Sequence, residues 1–239
     1  MRLLRVWKTG LKAAALVGAG LALSGQNGAN IAKIERTETS HIIGDPNAPV
    51  TLTEWVSYTC PACGNFARTG EPVVKIAYVD PGKAKFEIRY LQRNVVDVAV
   101  TLAAWCGGAD KFALNHSLLM HQQGTWLAKA QQASKAQQDR WFSGAQAERR
   151  KAIASDIDLY SLMEGRGIGR AELNRCLSDD ALADRLTAAS SADTTSFELH
   201  GTPSFAIDGK LLKDVHGWSQ VAPLLSAATA PQSSSYGPN

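Results

Sequence analysis

The stretch SYTCPACGNF, residues 57–66, sets Cys60 and Cys63 on either side of Pro61 and Ala62, directly after the apolar run VTLTEWV at 50–56. Three chemistries use two cysteines at this spacing: a metal clamp, a structural staple, and a dithiol that makes and breaks its own bond. A staple across so few residues closes almost no loop and stabilises little through chain entropy. A zinc site needs further ligands near the pair. The remaining cysteines, Cys106 and Cys176, stand alone, and the five histidines (His41, His116, His121, His200, His216) share no ligand spacing. Redox exchange is the reading these residues favour.

The flanking sequence supplies a reason for reactivity. Val50 to Ser57 is rich in Thr, Trp and Val and reads as a strand. Pro61 suits a first helical position, which puts Cys60 at the cap of the helix that follows. Residues three apart on a helix have Cα atoms about 5 Å apart, inside the roughly 4.4–6.8 Å that a disulfide tolerates. A thiolate at the first turn also faces unpaired N–H groups and the positive end of the helix dipole, which lowers its pKa from about 8.5. Cys60 is therefore expected to be the exposed nucleophile, and Cys63, one turn inside, the group that resolves a mixed disulfide.

Working outward, the helix is expected to run to about Tyr78 with a bend at Pro72, and Lys85 to Leu91 alternates as a half-buried strand. Residues 95–199 are helical in composition, rich in Ala, Leu, Gln and Lys. PSFAIDGKLLKDVHG then reads as two short strands joined at Asp208-Gly209, a strong hairpin signal. A last helix covers about Ser219 to Ala228, and 230–239 reads as a flexible tail. The aromatic residues Trp105, Phe112, Trp126, Trp141 and Phe142 read as core, and GRGIG at 165–169 as a turn rather than a nucleotide loop.

With 239 residues, 45% hydrophobic and 20% charged, the composition is that of a globular protein with a sizeable core. The N-terminus differs in kind. Arg2, Arg5, Lys8 and Lys12 precede the short apolar run AAALVGAGLALSG, the pattern of a secretory signal peptide over 1–29, with cleavage after Ser24 or Ala29. The competing reading is an uncleaved anchor. Removing those four cations turns the formal charge of +3 slightly negative, which leaves no basic stripe for nucleic acid. Either reading places the folded part outside the cytoplasm, where disulfides persist.

Strand, helix, strand, a long helical block, hairpin and helix is the order of an α/β thioredoxin fold with a helical insertion. The motifs GDPNAPVTLTEWVSYTCPACGNF at the front and GTPSFAIDG near the end give the chain a resemblance to the DsbA-like periplasmic thiol:disulfide oxidoreductases. The resemblance covers nearly all of the sequence after the leader. It implies a thioredoxin-like domain at 40–94 and 200–229, with the helical insertion at 95–199. It also implies a periplasmic protein that oxidises exported clients, needs no bound cofactor or metal, and is reoxidised by a membrane quinone-linked thiol oxidase (DsbB-like). A monomer is favoured.

The resemblance carries over to particular residues. Pro61 and Ala62, between the cysteines, are expected to tune the potential and meet the client. Ala62 stands where a histidine commonly precedes the second cysteine, so one source of thiolate stabilisation is absent. Alternation puts Val50, Leu52, Glu54, Val56 and Tyr58 on one strand face, where Glu54 interrupts an apolar row and its proton affinity should rise. The family keeps a buried acid six residues before its first cysteine, which implies that Glu54 exchanges a proton with Cys63. Pro203 is expected to be cis and to face Cys60, with Thr202 offering main-chain groups to a bound peptide. Threonine there resembles the isomerase branch as much as the oxidase branch.

Cys106 and Cys176 are expected to form a structural disulfide, because isolated cysteines in an oxidising compartment tend to bond. The alternative is two buried thiols. Such a bridge would add about 4 kcal/mol in the chain-entropy model. Two other functions compete with the oxidase. One is a reductase or isomerase, against which the short stretch between leader and first strand leaves no room for a dimerisation domain. The other is a thioredoxin-like chaperone or metal-handling module whose cysteines hold a soft ion such as copper.

Overall fold

The computed structural model describes residues 33–231. The expected leader at 1–29 and the tail from 232 onward lie outside those residues. The described residues build six strands: β1 (Ile34–Arg36), β2 (His41–Ile43), β3 (Val50–Val56), β4 (Ala84–Tyr90), β5 (Ser204–Ile207) and β6 (Lys210–Leu212). They form one mixed sheet in the order β1-β2-β4-β3-β5-β6. Only β3 and β4 run parallel, and β5 returns antiparallel on the other side of β3. The central β3 is covered on both faces, which is why its sequence VTLTEWV is β-branched and apolar nearly throughout.

After β3 come α1 (Pro61–Thr69) and α2 (Glu71–Val74), the latter continuing as a π-turn over Lys75–Val79. The single helix expected as far as Tyr78 is thus broken, and the break lies at Gly70 rather than at Pro72. The Phe66 ring lies over Gly70 so closely that a Cβ there would stand 2.4 Å from it. Pro72 instead occupies the first turn of α2, where its missing N–H does no harm.

Eight helices separate β4 from β5: α3 (Val95–Trp105), α4 (Ala109–His121), α5 (Gln123–Gln131), α6 (Lys135–Phe142), α7 (Gln146–Asp156), α8 (Leu159–Glu164), α9 (Arg170–Leu177) and α10 (Asp180–Ser196). The first is capped by Asn94, whose side chain accepts from the N–H groups of Val96 and Asp97, both at 3.0 Å. Cys106, at the end of α3, and Cys176, in α9, are joined by a disulfide. Helix α10 lies against the far side of the sheet. There Asp193 accepts from both Nε and Nη2 of Arg89, at 2.7 and 2.9 Å, and from Trp55 Nε1 at 2.7 Å. The chain ends its described part in α11 (Trp218–Ala228). One continuous core runs from Leu52 in the sheet through Met120 and Ile153 in the helical block.

Two strands were not visible in the sequence. β1 and β2 have three residues each and include Glu35, Arg36 and His41, too short and too polar to display a period. The sheet consequently begins at Ile34, ahead of the expected boundary at 40. The hairpin is present, with Asp208 and Gly209 both at positive φ between β5 and β6. Among the five aromatics read as core, Phe142 is 62% exposed. It follows Trp141 on α6, a helix with one buried position that Trp141 takes, which turns Phe142 toward solvent.

Candidate active site

The parallel strand β3 ends at Val56 and delivers Cys60 to the start of α1. Cys60 is the N-cap, with extended dihedrals (φ −93°, ψ 115°), and Pro61 opens the helix. The Cys63 thiol and the backbone N–H groups of Ala62 and Cys63 lie beside the Cys60 sulfur, where they favour a thiolate. The Cys63 bond above all, and the backbone donors with it, outweigh partial burial and bring the Cys60 thiol down to about 5. Cys63 goes the other way. Buried with no exposure, it is pushed well above its ordinary value by desolvation, by its bond to Cys60 and by the Glu54 carboxyl nearby. Both cysteines are free, so the structure is that of the dithiol.

Cys60 is less open than a sequence reading of an exposed nucleophile suggests: it is 6% exposed. The cover is the loop before β5. The Thr202–Pro203 peptide bond is cis, and the Thr202 carbonyl accepts the Cys60 thiol at 3.1 Å. Thr202 Oγ1 is buried without a partner of its own, so its hydroxyl is available to a thiolate at Cys60. The Pro203 carbonyl is held by His216 Nδ1 at 2.9 Å. Pro61 and Ala62, by contrast, are both exposed at the rim.

Beneath α1, Glu54 is completely buried, and neither carboxyl oxygen has a hydrogen-bond partner. Its neighbours across the sheet are Ile88 and Phe205. Desolvation first, then the Glu71 carboxylate, then Cys60, push its pKa well above the usual carboxylate range. An acid held protonated under a buried thiol is a proton store for that thiol.

Two side chains that the sequence did not single out hold the approach to Cys60. Asp97, buried near the start of α3, accepts from Thr59 N at 2.8 Å, Thr59 Oγ1 at 2.9 Å, Ser57 Oγ at 3.0 Å and Arg93 N at 3.0 Å. Burial raises its pKa against the pull of those donors. The Asn94 cap was a legible signal for a helix start, but nothing in sequence aims Asp97 at residues 57–59. Gln123, at the start of α5, donates from Nε2 to the carbonyls of Tyr58 at 2.7 Å and Cys60 at 2.8 Å. Its Oε1 leaves no room for a side chain at position 64, where a Cβ would stand 2.3 Å away. A glutamine in a Gln-rich helix carries no sequence signal for such a role. Among the described residues, no three of His, Cys, Asp or Glu gather as metal ligands would.

The chain as a whole is similar to known proteins. A protein-disulfide isomerase of Novosphingobium aromaticivorans has a crystal structure that superposes on 80% of this chain and 97% of its own, with TM-score 0.77 and 39% identity. The alpha-DsbA1 of Wolbachia pipientis matches in fold, with TM-score 0.63 over 79% of this chain and 89% of that one, at 16% identity. A Rickettsia bellii protein provisionally named a protein-disulfide oxidoreductase is 25% identical over 173 residues, which is 72% of this chain but 58% of that protein. The chain thus spans little more than half the length of that curated relative. A family model described as thioredoxin matches residues 36–227, four-fifths of the sequence, and the chain accordingly belongs to the thioredoxin family, with the fold of the DsbA structures.

Proposed function

We propose that the chain is a thiol:disulfide oxidoreductase that passes a Cys60–Cys63 disulfide to exported client proteins. The observation that carries this reading is the opposed state of the two sulfurs: Cys60 lowered to about 5, Cys63 raised by burial and by Glu54. A thiolate stabilised at Cys60 makes it the better leaving group and favours the dithiol over the disulfide, so the oxidised protein is an oxidant. The names of the Novosphingobium and Rickettsia relatives support the same class of chemistry.

In the first step a client thiolate attacks Cys60 Sγ. A client–Cys60 bond forms, the Cys60–Cys63 bond breaks, and Cys63 leaves as a thiolate that takes the proton of the Glu54 carboxyl. A second client thiolate then attacks the client sulfur of the mixed disulfide. The client leaves oxidised by two electrons, and Cys60 departs as its stabilised thiolate. Thr202 presents its main chain to the client beside cis Pro203, and Pro61 and Ala62 form the exposed rim. The Cys106–Cys176 bond stays out of the exchange as a structural tie. Reoxidation falls to a membrane quinone-linked thiol oxidase, in the periplasm, with the protein acting as a monomer.

A second reading, isomerase or reductase, is favoured by the name of the Novosphingobium protein and by threonine at position 202. An equilibrium titration with glutathione, paired with thiolate absorbance against pH, separates the two. A readily reduced bridge and a thiolate midpoint near 5 support the oxidant. A bridge that resists glutathione supports the reductant, and absence of any exchange with a test peptide overturns both.

A further inference from the structure

The cysteine turn borders a cleft as well as a loop. Between α1 and α5 lies a space of about 460 Å³ that Pro61 and Arg68 line from one side and Gly124, Leu127, Ala128 and Gln131 from the other. Pro61 is bonded to Cys60, so the cleft begins at the residue next to the reactive sulfur. Arg68 sits in the last turn of α1. Helical side chains lean toward the N-terminus of their helix, which carries its guanidinium back over the cysteine turn. There Nη1 would stand 3.2 Å from a Cβ at Gly64, so the missing side chain admits it, and it donates to the Met120 carbonyl of α4 at 3.3 Å. A guanidinium has five N–H groups. Among the described residues this is the one hydrogen bond that Arg68 makes from its side chain, and no carboxylate pairs with it. Glu71, three positions on, is bonded to His116 Nε2 at 2.9 Å instead. Arg68 is the permanent cation of the cleft, and no residue lining it is acidic.

We propose that this cleft receives client segments that carry a carboxylate side chain near their reacting cysteine, with Arg68 as the residue that selects them. The inference deepens the oxidoreductase reading above and rests on it. A client whose thiolate attacks Cys60 Sγ must lay its flanking residues over the neighbours of that sulfur, and exposed Pro61 is one of them. Beyond Pro61, half-buried Leu127 and Ala128 offer apolar contact. Gly124 leaves room for the segment, since a Cβ there would meet nothing within 4 Å. A guanidinium with free N–H groups takes a carboxylate through two parallel bonds. The tether to the Met120 carbonyl orients that fork before the client arrives. A basic client segment finds no partner in the cleft and meets a like charge.

The test uses the oxidised protein and single-cysteine peptides in which one Glu, or one Gln in its place, is moved through the positions on either side of the cysteine. Mixed-disulfide formation is followed by stopped-flow fluorescence. Each rate is divided by that of the same peptide with a small-molecule disulfide, which removes the effect of the acid on the peptide's own thiol. At the best position the Glu peptide should react about threefold or more faster than its Gln counterpart at low salt, an advantage that shrinks near about 1 M salt. In Arg68→Gln the ratio should fall to one while the Cys60 thiolate midpoint, read by absorbance, stays in place. Arg68→Lys should keep part of the ratio, and Gly124→Glu, which adds a carboxylate where there is space for it, should bring it to one or below. Thermal unfolding identifies a variant that does not fold, and Gly124→Glu decides if Arg68→Gln is that variant. Equal rates for Glu and Gln at every position, or a ratio that persists in the folded variants, overturn the selectivity and leave the oxidoreductase reading standing. A loss shared by all peptides together with a shifted midpoint makes Arg68 a support of the sulfur and overturns it as well. No exchange with any peptide overturns the oxidoreductase reading and this proposal with it.

Discussion

Two carboxyls contact opposite faces of β3 under opposite terms. On the far face Asp193 receives two bonds from Arg89 and one from Trp55. On the near face Glu54, no less buried, receives none. The sulfurs repeat the contrast within a single turn of helix, with Cys60 surrounded by donors and Cys63 left in the apolar interior. A buried acid with its partners in place ties elements together, because removing either side strands the other. A buried acid without partners keeps its proton and can lend it. Satisfaction of hydrogen bonds, rather than burial, separates the acid that holds the fold from the acid suited to chemistry.

The contrast can be broken at four points. The largest effect should come from the supported sulfur. The Cys60 thiol lies near 9.0 unfolded and about 5 folded, so its contribution to stability is fully present above the unfolded value and is lost as pH falls through about 5. Urea unfolding of the dithiol protein should therefore show wild type gaining on Cys60→Ser as pH rises from 5 toward 9; parallel curves would refute it. Next, Asp193→Ala should destabilise by about 2–4 kcal/mol, a buried ion-pair loss reduced for partial exposure. Its thiolate midpoint, read by absorbance, should stay in place.

Glu54→Gln should do the reverse. With its folded pKa raised, the wild-type acid contributes stability that is present below its ordinary value of 4.5 and is lost as pH climbs through the folded value. The variant should accordingly gain on wild type as pH rises, yet form the mixed disulfide on the order of 10-fold more slowly at neutral pH, or slower still. Stopped-flow fluorescence with a thiol peptide measures that rate, and an unchanged rate across pH removes Glu54 from the mechanism. The smallest effect should be at Thr202→Val. Without its hydroxyl the Cys60 thiolate loses one donor of several, and its midpoint should rise by less than about one pH unit.

The near face was legible in the sequence and the far face was not, for a physical reason. Cys60, Cys63 and Glu54 lie within ten residues of one another, where the period of a strand and the start of a helix dictate who faces whom. Asp193 meets Arg89 across 104 residues, and Gln123 meets Cys60 across 63. Such pairings depend on how the helices fold back, which no local pattern encodes. β1 and β2 failed for the complementary reason: three residues hold no period, edge strand β1 carries Glu35 and Arg36, and β2 opens on a histidine that is buried. Gly70 was passed over as a break in favour of Pro72, since only the position of the Phe66 ring reveals which one the helix cannot cross.

The Gln123 amide also draws a boundary around what can vary in the CPACG segment. Position 64 is shut, because any side chain larger than hydrogen would displace the amide that braces two carbonyls beside the sulfur. Positions 61 and 62 face outward and touch nothing the core requires. Random libraries at those two sites should therefore yield folded proteins spanning a range of potentials, whereas diversity at position 64 should displace the Gln123 amide from the start of α1.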